Sequence, residues 1–179
     1  MIKKALLFLF LSTFGWSATG EILLPVNGAK LSGAHITTPA AIDAGLGGWR
    51  LLFDTTTEEE AVYEFLMPDN YSSGLTFKCS WTVDGSITSG NVEIEVEVMA
   101  VASTENPDTE TFDTTNSTGA VAIPGTSGQA KFTTLTLTNA DSVAAGEHVV
   151  IRVSRDVTVA SDATEDLEMR SMKLTYTTT

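Results

Sequence analysis

Cysteine is almost missing from this sequence: Cys79 stands alone. One thiol cannot close an intramolecular disulfide, so the fold has to rest on its core. Cys79 also falls on the apolar parity of an alternating segment, where a free thiol acts as a small hydrophobe. Histidine is nearly as scarce. His35 and His148 are far apart, neither has a second ligand at a metal-binding spacing, and no metal site is expected of them. Basic residues are few, ten Lys and Arg against 23 Asp and Glu, for a formal charge of −13. Such a surface repels phosphate backbones, which excludes nucleic acid as a partner, and keeps an extracellular protein in solution.

Long apolar runs are confined to the N-terminus. Lys3 and Lys4 precede an apolar stretch over residues 5–14, and small residues follow over 15–20, the pattern of an export signal. The run is too short for a stable membrane span. Cleavage after Ser17 or after Gly20 fits better than after Ala18, which would put bulky Trp16 at the −3 position. An apolar strand buried in an assembly is the competing explanation, because such a run alone does not separate the two.

Helical periodicity is absent beyond the leader, whereas period-two alternation recurs. Over residues 75–83, Leu75, Phe77, Cys79, Trp81 and Val83 alternate with Thr76, Lys78, Ser80 and Thr82. Over 92–98, Val92, Ile94, Val96 and Val98 alternate with Glu93, Glu95 and Glu97, so a strand lines the glutamates up on one face. Asp84-Gly85 between the two segments is a favoured hairpin dipeptide and predicts that they pair side by side, antiparallel. Further strands are expected at 21–26, 49–53, 61–66, 132–138, 147–155 and 167–176. Pro68 ends the run at 61–66, and a phase change in the last run calls for a β-bulge near Ser171.

Seven or eight strands separated by turns predict an all-β fold: an antiparallel two-sheet β-sandwich of jelly-roll type over residues 49–179. Residues 1–20 form the leader, and 21–48 read as an extended N-terminal arm. The polar stretch 103–118 crosses between sheets or caps one end, and should be the least ordered part.

Chemistry is hard to find. Glu93, Glu95 and Glu97 share one strand face and Glu58, Glu59 and Glu60 share a turn, whereas glycosidic catalysis needs two carboxylates facing each other across a cleft. The acidic loop with Glu105, Asp108, Glu110 and Asp113 lacks the spacing and central glycine of a calcium hand, which leaves at most weak calcium binding. No Gly-x-Ser-x-Gly elbow occurs, and Gly45-Leu46-Gly47-Gly48 precedes a strand, not a helix, as a phosphate loop would. Arg152 and Arg155, near Asp156 and the acidic stretch 162–166, read as surface ion pairs. No catalytic, metal-binding or cofactor-binding residue is assigned and no cofactor is expected.

The runs Leu52-Phe53-Asp54-Thr55-Thr56-Thr57-Glu58-Glu59 and Phe65-Leu66-Met67-Pro68-Asp69-Asn70-Tyr71, with Trp81 and Ser89-Gly90-Asn91-Val92, resemble a group of uncharacterised proteins of bacteriophages and metagenomes. So do Leu137-Thr138-Asn139-Ala140-Asp141, Ala145-Gly146, Val153-Ser154-Arg155-Asp156 and Leu174-Thr175-Tyr176-Thr177. The resemblance covers about residues 49–179 and implies a virion-associated β-sandwich of fibre or decoration type, although a leader is unusual in a phage structural protein. The sequence therefore predicts a non-enzymatic, secreted or virion-surface protein: a jelly-roll subunit of a virion or exported filament. It would work by self-association or within a larger assembly, with 21–48 adding a strand to a neighbour. The alternative is a secreted carbohydrate-binding module, with Trp49, Tyr63 and Tyr71 as candidate sugar platforms, although core or rim packing is the commoner use of such aromatics.

Overall fold

The computed structural model describes residues 18–32, 40–41, 49–83 and 85–179, with the backbone alone at 32, 40, 41 and 49. The leader expectation for 1–17 lies outside the described residues. Twelve strands lie among the described residues: β1 (Thr19–Leu24), β2 (Lys30–Ser32), β3 (Ala40–Ala41), β4 (Trp49–Phe53), β5 (Glu60–Leu66), β6 (Tyr71–Val83), β7 (Asn91–Val101), β8 (Asn116–Ser117), β9 (Val121–Ala122), β10 (Lys131–Thr136), β11 (His148–Asp156) and β12 (Leu167–Thr178). They form two antiparallel sheets. The first runs β10-β6-β12-β4-β3 with β1 also on β12; the second runs β2-β5-β11-β7-β8 with β9 on β7.

This order is a jelly roll. The chain runs out through β4, β5, β6 and β7 and returns so that β8 pairs with β7, β10 with β6, β11 with β5 and β12 with β4. That long hairpin then rolls up, closing β12 against β6 and β11 against β7. Consecutive strands of the outgoing half therefore alternate between sheets. This overturns the expected hairpin of 75–83 with 92–98: β6 and β7 lie in different sheets. Period two fixes which side of a strand is apolar but not which strand lies beside it. The connection over 84–90 is long enough to bridge the ~10 Å between packed sheets.

The alternation itself is realised. Leu75, Phe77, Cys79, Trp81 and Val83 from the first sheet and Val92, Ile94, Val96 and Val98 from the second are all buried in one core, together with Val149, Ile151 and Val153 of β11. Each large aliphatic or aromatic side chain so buried stabilises by about 1.5–3 kcal/mol, most of which conformational entropy offsets. Trp81 keeps its polar edge satisfied: Nε1 donates to Thr133 Oγ1 at 2.8 Å. The register of β12 against β6 shifts between Met169 and Ser171, at the predicted bulge, and Leu167, Met169, Met172, Leu174 and Tyr176 all face inward as a result.

Arg155 continues the inward parity of Val149, Ile151 and Val153, and the expectation that it is a surface residue is wrong. Its side chain is 0% exposed. It closes one end of the core: the guanidinium donates to both carboxylate oxygens of Asp162 (2.8 and 2.9 Å), to the Ala163 carbonyl (2.7 Å) and to the Glu165 carbonyl (3.0 Å). A charge taken out of water is tolerable only with such pairing.

The span 21–48 differs from a free arm in its described parts. β1 pairs along β12 from Thr19↔Thr177 to Leu24↔Met172, and β2 pairs with β5, so both complete sheets of their own chain. At Gly20 the chain runs under the Tyr176 ring, where an added Cβ would lie 2.1 Å from the ring carbon Cζ. A cut after Ser17 leaves β1 whole; a cut after Gly20 would remove its first two residues. The polar stretch 103–118 returns along β7 as β8 and is pinned there. Asn116 Nδ2 donates to the Val96 and Asn139 carbonyls and its Oδ1 accepts from the Asn139 amide, while Asp113 accepts from the Asp141 amide. No helix among the described residues is long and apolar enough to cross a membrane.

Candidate functional site

With the inward parities in the core, what the two outer sheet faces carry decides what the domain can touch. The second sheet presents Glu60 and Glu64 from β5, Arg152 and Asp156 from β11, and Glu93, Glu95 and Glu97 from β7. Register sets Arg152 opposite Glu97 on one side and Val62 on the other, and Asp156 opposite Glu93. Arg152 forms ion pairs with Glu97 and with Glu60 (3.1 Å). Its Cζ lies 4.3 Å from the centroid of the Phe112 ring, which the 103–118 stretch lays over this face. Thr115 donates to Glu97 and Ser117 to Glu93. Lys30 neutralises Glu64 at 2.6 Å, and that hydrogen bond holds the Glu64 carboxyl below its ordinary range.

Beyond the reach of Arg152, carboxylates crowd. Oxygens of Glu93, Glu95 and Asp156 all lie within 4.8 Å of one another. Burial first, then Asp156, Glu58, Glu93 and Glu97, push the Glu95 carboxyl up. These groups stand side by side on one sheet face. Acid–base cleavage of a glycoside instead requires two carboxylates on opposite sides of a bound sugar.

The first sheet is different. Near Arg50 its outer face carries a closed network: Glu168 pairs with Arg50 (2.9 Å) and Arg170 (2.8 Å) and accepts from Thr82 Oγ1 (2.7 Å), with Glu168 and Thr82 buried. Farther along the same strands, a depression of about 380 Å³ opens among β1, β12, β6 and β10. Leu23, 72% exposed, stands on one rim and Phe132, 80% exposed, on the other. Lys78, Lys173, Thr134 and Ser171 supply its polar groups, with Cys79 and Met172 behind them. Lys173 is held by Glu21 at 2.6 Å. Burial pushes the Cys79 thiol up to about 12, so it is no nucleophile at neutral pH.

Phe132 is exposed because of its parity in β10. It shares the outward side with Thr134 and Thr136, while Leu135 and Leu137 pack inward. Two of the three candidate sugar platforms take the other use, packing in the core. Tyr63 and Tyr71 are 5% and 9% exposed and belong to the core, Tyr71 stacking at a tilt on Tyr176 with centroids 5.6 Å apart. The side chain of Trp49 lies outside the described residues.

No protein-family model matches the chain, and no curated protein does. Solved structures with a similar fold include a family 35 carbohydrate-binding module from Cellvibrio japonicus, at 10% identity over 89% of this chain and 99% of that one, TM-score 0.49. A xylan-binding module of family 15 aligns at 12% identity over 89% and 97%, TM-score 0.48. A Clostridium thermocellum xylanase chain joining a family 22 carbohydrate-binding module to its catalytic module aligns at 12% identity over 88% of this chain and TM-score 0.46, and this chain spans about a quarter (26%) of its length. At these identities and scores the likenesses assign this chain neither a family nor a ligand.

Proposed function

We propose that this chain is a non-catalytic, extracellular carbohydrate-binding domain whose ligand lies in the depression on the outer face of the first sheet. The observation that carries the reading is Phe132: a phenyl ring 80% exposed at the edge of a cavity that also offers hydroxyl and ammonium donors. The carbon-bound hydrogens of a pyranose ring stack on an aromatic face, while its hydroxyls need donors and acceptors close by. Thr134, Ser171, Lys78 and Lys173 fill that second role. The test is titration calorimetry of the full chain and its Phe132→Ala variant against a panel of neutral and acidic polysaccharides. Binding should fall at least about tenfold in the variant, with the melting temperature unchanged, because an exposed side chain contributes within about 0.5 kcal/mol to stability. A chain that binds no member of the panel ends this reading.

A second reading, a subunit of a virion or exported filament, is favoured by a separate feature. Leu66 is 70% exposed on β5, in the other sheet from Leu23 and Phe132, so both sheets carry an apolar contact point. A concentration-dependent rise in mass by light scattering, abolished by Leu66→Ser, would support it.

A further inference from the structure

The depression holds a cation that the rest of the molecule does not use. Eight Lys and Arg residues are described, and six of them pair with a carboxylate: Lys30, Arg50, Arg152, Arg155, Arg170 and Lys173. Lys131 donates to the Ala122 carbonyl. Of the eight described Lys and Arg side chains, Lys78 alone has neither an ion pair nor a hydrogen bond. It also stands directly opposite Lys173 in the β6–β12 register, on the same face. Like charges in that position destabilise a sheet, and a chain of −13 has carboxylates in excess to pair with them. An unpaired ammonium beside a second one, at the foot of an exposed aromatic ring, is an arrangement that an anionic ligand completes.

We infer that the ligand of this depression is a carboxylate-bearing sugar, a uronic acid unit of an acidic polysaccharide. Its carboxylate lies between Lys78 and Lys173 and its ring on Phe132. The inference rests on the carbohydrate-binding reading and narrows it. The overall negative charge does not exclude such a ligand, because at physiological salt the Debye length is about 8 Å and the nearest charges are those of the depression, where Glu21 offsets Lys173 and the Lys78 ammonium is left uncompensated. A carboxylate held between them makes charge-assisted hydrogen bonds, which are stronger than neutral ones.

The probe is de-esterified polygalacturonate beside the same polymer fully methyl-esterified, which keeps the sugar and removes the charge, in 150 mM salt with the full chain. The acid form should bind and the ester at least about tenfold more weakly. Lys78→Gln should abolish that preference without lowering the melting temperature. Equal binding of acid and ester, or binding confined to neutral polysaccharides and lost in Phe132→Ala, overturns the inference while leaving the carbohydrate reading in place. Failure to bind any polysaccharide overturns both. So does a homodimer in light scattering that Phe132→Ala dissolves, since the depression would then be a contact between copies.

Discussion

The two outer faces of this sandwich are built from the same kind of alternating strand and end in opposite electrostatic states. On the second sheet an excess of carboxylates is gathered around one arginine, and the polar groups bond to each other: Arg152 to Glu60 and Glu97, Ser117 to Glu93, Thr115 to Glu97, with Phe112 as a cover. On the first sheet, around the depression, two lysines face each other and an aromatic ring stands in solvent. The Arg152 cluster, whose groups satisfy one another, stabilises the fold, while Glu93, Glu95 and Asp156 beside it repel. A face that leaves an ammonium unpaired and a phenyl ring exposed is the one to which the proposal assigns binding. The comparison makes stability the property that should fail on the second face and binding the property that should fail on the first.

The largest effect is expected at neither face but at the core end they share. Arg155→Ala leaves the half-buried Asp162 without its partner and the Ala163 and Glu165 carbonyls without their donor. Breaking a buried pair in this way costs about 3–5 kcal/mol. Urea unfolding should show a lower midpoint at unchanged slope. A loss below about 1 kcal/mol would mean that Arg155 behaves as an ordinary surface residue. Arg152→Ala should come next, at about 1–2 kcal/mol. Its partly exposed pairs are screened, but the substitution releases two carboxylates and a ring at once. If Arg152→Ala proved neutral while Phe132→Ala unfolded the chain, the contrast between the faces would be inverted.

Glu95 sharpens the same contrast through pH. Its folded-state carboxyl is raised above the ordinary value of 4.5 by burial and by Asp156, Glu58, Glu93 and Glu97. A carboxyl raised on folding favours the folded state while protonated. That contribution is complete below the unfolded value and is lost as pH rises through the folded one. Glu95→Gln should therefore be more stable than the parent at pH 7, with the difference shrinking toward zero as pH falls below 4.5. Paired urea titrations at the two pH values measure it, and an equal difference at both would remove the electrostatic explanation.

Much of this was written in the sequence, and what was not had physical causes. The alternation in 75–83 and 92–98 identified the core side of two strands residue by residue. It could not tell which strands were neighbours, because the same apolar stripe serves a hairpin partner and a strand across the sandwich. Arg155 was misread on its chemistry, although its parity with Val149, Ile151 and Val153 already pointed it inward. Phe132 was readable the same way: in a segment where Leu135 and Leu137 share one parity, it falls with the threonines on the other. Tyr63 and Tyr71 qualify as sugar platforms only by being aromatic; core packing is the commoner use, the parity of Tyr63 with Ala61 favours it, and both rings lie there. The lone state of Lys78 had no signal in one dimension. It depends on which carboxylates the jelly roll brings near, and the register sets a lysine there instead.

The smallest effect is also the most discriminating. If Lys78 served the fold, removing its charge would cost stability, as losing a paired surface lysine does by up to about 1 kcal/mol. Nothing among the described residues is paired with it, and its cross-strand neighbour is the ammonium of Lys173. Lys78→Gln should therefore leave the free chain as stable as before or raise it by a few tenths of a kcal/mol, the repulsion between directly opposed like charges being of that order. Lys173→Gln, which breaks the pair with Glu21, should give no such gain. Thermal melts of the two variants at low and high salt separate the cases: the gain from Lys78→Gln should shrink as salt screens the repulsion. A gain from Lys78→Gln that salt erodes would fit the proposed use of Lys78 in a complex, and a loss of stability would make it a structural residue instead.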